Sequence, residues 1–120
     1  MISVLNITCR FGGFDILHAS LERQTFKDFE VVIVDGLWKN REPQVKKYFK
    51  DFNLKYVRED EKSKGVYSNL AHADNQGFRN CNGELIVPIQ DFIWCPPYML
   101  HKFNEAYKAY GNILVTAVGH

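Results

Sequence analysis

Two segments of the chain run as apolar strand patterns directly into an aspartate. The first covers residues 31–35 and ends at Asp35, and the second covers residues 84–91 and ends at Asp91. Both are rich in valine, isoleucine and leucine, which is typical of strands buried on both faces of a parallel sheet. Open α/β sheets bind ligands outside the carboxyl ends of their strands. The two carboxylates are therefore predicted to lie at the ligand-binding edge of one sheet.

Strand and helix patterns alternate along the rest of the chain, which predicts a three-layer α/β/α domain with a mainly parallel sheet. The predicted strands cover residues 2–8, 29–34, 54–57, 84–89 and 113–118. The predicted helices cover residues 14–23, 67–80 and 97–110, with a further helix that opens at Glu42-Pro43. The short strand over 54–57 is expected near an edge of the sheet. The charged segment 58–65 is interpreted as a solvated surface loop, with a mobile loop over a ligand as the alternative.

Helical spacing also predicts which side chains of two helices face the core. In the helix that opens at Glu42-Pro43 they are Val45, Tyr48, Phe49 and Phe52, and in the helix over 67–80 they are Leu70, Ala71, Ala73 and Phe78. Gly77 interrupts the second pattern at a cost of about 1 kcal/mol relative to alanine. It is expected to end the helix, to kink it or to allow close packing.

Composition excludes several classes of function. A chain of 120 residues can bury its own core, and residues 1–120 are interpreted as a single domain. With 15 basic and 14 acidic residues the net charge is +1, which gives no electrostatic basis for a nucleic-acid partner. No run approaches the roughly 18 apolar residues that a membrane-spanning helix needs. The three cysteines are far apart and lack zinc-site spacing, so they are interpreted as free thiols in a reducing cytoplasm.

Three stretches of the chain resemble the family 2 glycosyltransferases. Residues 3–10, SVLNITCR, look like that family's first strand and loop, and residues 21–35, LERQTFKDFEVVIVD, are similar to its segment SL..QTY.DFEIIVVDD. Residues 75–77 followed by 83–86 resemble its segment N.G...A.GEYI. The resemblance implies the nucleotide-sugar-binding half of a GT-A fold, which is a Rossmann-like architecture. It also implies that the complete enzyme transfers sugar from a nucleotide-diphospho-sugar, with inversion, to a hydroxyl of a glycan, lipid or protein acceptor.

The same resemblance implies a set of donor-binding residues, which are Thr8, Cys9, Arg10, Asp35, Lys64, Arg79, Gln90 and Asp91. Thr8 to Arg10 would line the base pocket, and Asp35 would accept a hydrogen bond from the base. Lys64 and Arg79 lie where some members direct a basic side chain towards the phosphates. The acceptor-binding half would follow the fifth strand and supply the catalytic base, so no catalytic residue is assigned here. Apolar surface left exposed at that place would favour a homo-oligomer.

The acidic motif after the fourth strand carries the implied metal site. Asp91 would meet the ribose or the metal–diphosphate, so the resemblance implies Mn²⁺ or Mg²⁺ as a cofactor with Asp91 as its ligand. The family motif is Asp-x-Asp or Asp-Asp, whereas the segment here is Gln90-Asp91-Phe92. A hard dication requires oxygen ligands, which Phe92 does not offer and which Gln90 and Asp91 could supply in a shifted geometry. A second departure is Gly36, which follows Asp35 where the family often has another aspartate.

Other interpretations of the same residues stay open. A non-catalytic or truncated remnant that serves as a binding or assembly module is favoured by Phe92 at the metal motif and by the expected lack of the acceptor-binding half. A flavodoxin-like regulator would share the strand–helix order. A separate alternative interprets Asp35 and Asp91 as strand-end caps or turn formers. Trp38 and Trp94 would either stack on a base or sugar or anchor their loops.

Overall fold

The structure, a computed structural model, describes residues 1–60, 69–112 and 114 of the chain. Its strands are β1 (Ile2–Thr8), β2 (Phe29–Asp35), β3 (Leu54–Arg58) and β4 (Leu85–Pro88). Its helices are α1 (Phe14–Glu22), α2 (Trp38–Tyr48), α3 (Asn69–Asn80) and α4 (Met99–Tyr110). Most of the predicted loop over 58–65 and, apart from Leu114, the predicted strand over 113–118 lie outside the described residues.

The strands in the described part of the chain form one parallel sheet in the order β3-β2-β1-β4. β3 lies at an edge, as expected from its sequence. Thr8 pairs with Asp35, so β1 and β2 end level with each other. The chain winds outward from β1 through β2 to β3 and then returns to the other side of β1 to form β4. The strand order therefore reverses between β1 and β4, at the kind of switch point where open α/β sheets bind ligands.

The sheet separates two apolar clusters, one on each face. The larger cluster contains buried residues of α1, α2 and α4, among them Leu21, Val45 and Leu100, and it also contains Phe49, which directly follows α2. The smaller cluster contains Ala73 of α3. Residues 31–34 of β2 alternate between the two clusters, which explains why their apolar run is unbroken. The predicted three-layer α/β/α architecture is confirmed.

The prediction that the second helix opens at Glu42-Pro43 is wrong, because α2 begins one turn earlier at Trp38. Pro43 consequently lies inside the helix and not in its first turn. The extra turn contains Arg41, whose side chain is hydrogen-bonded to Asp35 at the end of β2. This ion pair, between residues six positions apart, holds the first turn of α2 against the end of β2, and no helix-start pattern in the sequence indicates it.

Two of the predicted inward faces need correction. In α3, Leu70 is 63% exposed and Phe78 is 44% exposed, whereas Ala73 is buried. A Cβ atom on Gly77 would come within 2.8 Å of Leu5 Cδ1, so α3 approaches the sheet through its small residues. Gly77 thus allows close packing, and the helix continues past it to Asn80. Of the side chains predicted to be inward near the end of α2, Tyr48 is 47% exposed.

Candidate functional site

A cavity of about 280 Å³ opens at the carboxyl edge of the sheet, where the strand order reverses. It brings together five of the predicted site residues, which are Thr8, Cys9, Arg10, Gln90 and Asp91. Four further residues complete its lining, and these are Ile7, Glu59, Leu70 and Ala73. Because β1 and β4 are neighbours in the sheet, residues more than 80 positions apart in the sequence line the same cavity.

Asp91 is tied to the end of β1 by three contacts. Its Oδ2 accepts a hydrogen bond from Thr8 Oγ1 at 3.1 Å, and its Oδ1 accepts one from Asn6 Nδ2 at 3.3 Å. Arg10 Nε lies 3.5 Å from Oδ2, which makes an ion pair. The Asp91 side chain is only 7% exposed, whereas that of Arg10 is 68% exposed. The carboxylate is thus held in place, and the guanidinium can turn towards solvent or a ligand.

Asp35 is fully buried, and described residues donate four hydrogen bonds to it. Arg41 binds both carboxylate oxygens, with Nε at 2.8 Å from Oδ2 and Nη2 at 2.7 Å from Oδ1. The other two donors are the Leu37 amide at 2.8 Å and the Tyr56 hydroxyl at 2.6 Å. Burial alone would raise the pKa of Asp35, but these hydrogen bonds outweigh it and hold the pKa below its usual value.

A comparison with known protein families finds that the family model of Glycosyl transferase family 2 matches residues 15–120. The chain belongs to this glycosyltransferase family. The match begins after β1, so the resemblance of residues 3–10 rests on the sequence pattern alone. A comparison with curated proteins gives no match for the chain. In the part of the glycosyltransferase chain that the structure describes, no helix is long and apolar enough to cross a bilayer.

Arg41 links Asp35 at the end of β2 to the loop that follows β1. Besides its bonds to Asp35, its Nη1 donates to the Arg10 carbonyl at 2.8 Å. Its guanidinium also stacks on the Phe14 ring at 4.7 Å from the centroid. The loop after β1 is therefore fixed to the end of β2 by one side chain. The sequence analysis did not select Arg41 or Tyr56. In the sequence they are only a basic and a hydroxyl side chain, and nothing local indicates that the fold brings both to Asp35.

The side chains described around Asp91 do not form a group of three or more acidic, histidine or cysteine ligands for Mn²⁺ or Mg²⁺. Among the described residues there is no cluster of three or more His, Cys, Asp or Glu side chains that could hold a metal. The Arg10 cation already lies beside the carboxylate. Phe92 has a φ of 61° and turns its ring towards Gly12 and Gly13, about 3.5 Å from where their Cβ atoms would be. A divalent cation at Asp91 would compete with Arg10 for the carboxylate and would take its other ligands from the Gln90 side-chain oxygen, which also lines the cavity, from phosphate oxygens or from water.

Arg79, Trp38 and Trp94 do not line the cavity, and Lys64 lies outside the described residues, whereas Cys9 does line it. Arg79 is exposed in the last turn of α3 and is not part of the cavity lining. Lys64 lies outside the described residues. Cys9 is exposed and packs near Gly36, where an added Cβ would be 3.1 Å from the Cys9 Cβ. Trp94 is half-exposed beneath Arg23, and Trp38 lies within α2 beneath Arg58.

Proposed function

We propose that this chain binds a nucleotide-diphospho-sugar in the cavity between β1 and β4, and that the complete enzyme transfers the sugar with inversion. The observation that carries the proposal is the network of Thr8, Arg10 and Asp91 across the switch point. It presents a hydroxyl, a cation and a carboxylate in one cavity. These are the groups that recognise ribose hydroxyls and phosphate oxygens.

Each group has a distinct part in donor binding. The carboxylate of Asp91 accepts hydrogen bonds from ribose hydroxyls, and the Thr8 hydroxyl helps to hold that carboxylate in position. The largely exposed Arg10 guanidinium turns from Asp91 to the diphosphate, where it offsets the negative charge. Lys64 and Arg79 stay predictions for additional phosphate contacts. Binding of Mn²⁺ or Mg²⁺ at Asp91 stays a prediction as well, and the metal would compete with Arg10 for the carboxylate.

The proposed transfer is a single displacement at the anomeric carbon of the sugar. The acceptor hydroxyl forms the new C1–O bond while the bond from C1 to the diphosphate oxygen breaks. The nucleoside diphosphate leaves with the bonding electrons, and the acceptor proton passes to a general base. The residues of this chain act on the leaving side, because Arg10 and Asp91 lie where the nucleotide is proposed to bind.

Calorimetric titration with UDP, GDP, CDP and dTDP tests the proposal, first with Mn²⁺ and then with EDTA. We expect one nucleotide to bind with micromolar affinity, about −8 kcal/mol. Asp91→Asn should weaken that binding, whereas Asp51→Asn is a matched control because Asp51 is exposed and remote from the cavity lining. Binding that survives EDTA would show that the metal is dispensable. Absence of binding by the whole panel would refute donor binding by this chain.

A second candidate function, an assembly module without catalysis, is favoured by the exposed segment after Asp91. Phe92, Ile93 and Trp94 are each about half-exposed, at 50%, 48% and 50%. Contiguous exposed apolar side chains mark surfaces that bind other proteins. Light scattering across a concentration series would detect self-association. Self-association together with measurable sugar turnover would show that this segment serves an active enzyme, and self-association without nucleotide binding would support the assembly module.

A further inference from the structure

Arg10 carries the only positive charge among the described residues that line the candidate cavity. Its side chain is 68% exposed, and its Nε lies 3.5 Å from Asp91 Oδ2. The guanidinium also lies over the Phe92 ring, 5.8 Å from the ring centroid. In the described part of the chain no residue accepts a hydrogen bond from this guanidinium, so its N–H groups can donate to a ligand.

The main chain of Arg10 is fixed, although its side chain is exposed. Arg41 Nη1 donates a hydrogen bond to the Arg10 carbonyl at 2.8 Å. The turn that follows contains Gly12 and Gly13, whose φ angles of 85° and 88° lie in the left-handed region that favours glycine. The Phe92 ring packs against both glycines, about 3.5 Å from where their Cβ atoms would be. This loop therefore presents the Arg10 side chain at one place, at the end of β1.

The carboxylate of Asp91 already has a cation beside it. Together Asp91 and Arg10 have no net charge, and the Asp91 side chain is only 7% exposed. Oxygen sites bind hard dications more tightly as the number of charged ligands rises. The Gln90 side chain, which also lines the cavity, is uncharged, and Phe92 offers no oxygen. A divalent cation therefore gains little charge–charge attraction from Asp91 while Arg10 stays beside it.

The second carboxylate in the cavity lining favours binding of the diphosphate on the Arg10 side. Glu59 Oε2 reaches over the end of β2, 2.8 Å from where a Cβ atom on Gly36 would be. Asp91 instead accepts a hydrogen bond from Thr8 at the end of β1 and has Arg10 beside it. A carboxylate repels phosphate oxygens, whereas a guanidinium attracts them and can bind two of them in parallel. The diphosphate is therefore expected beside Arg10 and not beside Glu59.

We propose that Arg10, and not Mn²⁺ or Mg²⁺, supplies the positive charge that binds the diphosphate of the donor. This inference rests on the nucleotide binding proposed above. The exposed guanidinium turns its N–H groups to the phosphate oxygens, and the Phe92 ring, over which it lies, offers no ligand to a metal. A nucleoside diphosphate therefore binds equally well in Mn²⁺ and in EDTA.

Calorimetric titration of the wild type and of Arg10→Met tests the proposal with UDP, GDP, CDP and dTDP, each in EDTA and in Mn²⁺. The wild type should bind its preferred diphosphate with the same affinity in both conditions. We expect Arg10→Met to weaken that binding in EDTA by about tenfold. This is near the lower end for a hydrogen bond to a charged group, because Arg10 is exposed.

Two further variants separate the charge of Arg10 from other effects of its removal. Arg10→Lys keeps the positive charge, so it should lose less affinity than Arg10→Met. Arg23→Met is the matched control and should bind as the wild type does. Arg23 is also exposed and also lies over an aromatic ring, that of Trp94 at 5.2 Å from the centroid, but it does not line the cavity.

A double variant tests whether a metal can take the place of the guanidinium. Arg10→Met, Phe92→Asp removes the cation and adds a second carboxylate next to Asp91. Phe92 has a φ of 61°, a conformation that aspartate adopts more readily than phenylalanine, so the backbone should accept this substitution. We expect the double variant to bind the diphosphate in Mn²⁺ and to bind it about tenfold more weakly in EDTA.

Wild-type binding that requires Mn²⁺ would overturn the role of Arg10. The same conclusion would follow if Arg10→Met bound in EDTA as tightly as the wild type, or if Arg23→Met lost as much affinity as Arg10→Met. A double variant with wild-type affinity in EDTA would also overturn it. Failure of the wild type to bind any of the four diphosphates in either condition would instead refute donor binding itself.

Discussion

Removal of Arg41 should destabilise the domain strongly, because it leaves the Asp35 carboxylate buried with half of its donors. Arg41→Met keeps much of the side-chain volume and deletes the three hydrogen bonds to Asp35 and the Arg10 carbonyl. The amide of Leu37 and the hydroxyl of Tyr56 would stay as donors to Asp35. Breaking a buried ion pair from one side typically costs about 3–5 kcal/mol. We expect a loss near the lower end, about 3 kcal/mol, since two donors are retained.

Urea denaturation followed by circular dichroism measures this loss as a shift of the midpoint at constant slope. Arg58→Met is the matched control, because Arg58 also pairs with a glutamate at 2.6 Å but is exposed, and exposed pairs contribute little. The double variant Arg41→Met, Asp35→Leu removes the uncompensated charge and should recover much of the stability. A single Arg41→Met variant as stable as the Arg58→Met control would refute the argument that this pair fixes the strand end.

The pH dependence supplies an independent check of the same pair. The pKa of Asp35 is held below its unfolded value, so the pair stabilises the fold above about pH 4 and ceases to do so as the carboxylate is protonated. The gap in stability between wild type and Arg41→Met should therefore narrow as the pH falls through the folded pKa. If the stability difference between wild type and Arg41→Met stays constant from neutral pH down to the pH at which the protein unfolds, the lost stability comes from packing against Phe14 and not from the ion pair.

Two further substitutions test other parts of the structure. Gly77→Ala places a methyl group 2.8 Å from Leu5 Cδ1, and an overpacking cost of roughly 1–3 kcal/mol should exceed the helix-propensity gain of about 1 kcal/mol. Urea denaturation should show a net loss of stability, and a variant as stable as wild type would mean that α3 can shift away from β1. Phe92→Asp should create or strengthen Mn²⁺ dependence of nucleotide binding, measured by titration with Mn²⁺ and with EDTA. Unchanged metal affinity would show that position 92 does not face the metal site.

The sequence by itself determined the elements and their order. The unbroken apolar run of residues 31–34 predicted a strand with both faces covered, and the structure confirms it. The alternation of strands and helices predicted the parallel sheet, whose carboxyl edge carries Asp35 and Asp91. The family resemblance, which the match over residues 15–120 confirms, also lies in local segments of the chain. These features could be predicted because the spacing of apolar residues and the change from strand to loop are visible within a few consecutive residues.

Only the tertiary structure decided what the side chains contact. Asp35 was predicted from its place at a strand end, but its partners Arg41 and Tyr56 lie 6 and 21 residues away in the sequence. Arg41 reaches Asp35 because of where α2 begins, and Tyr56 reaches it because of the register between β2 and β3. Glu59 reaches the cavity because β3 pairs with β2 and because Gly36 leaves space for its carboxylate. The sequence pattern predicted that the large apolar residues of α3 face the sheet. Instead α3 packs on the sheet through Gly77 and Ala73, and Leu70 and Phe78 are exposed. Local sequence carries propensity, whereas hydrogen-bond partners and packing depend on how distant segments are brought together.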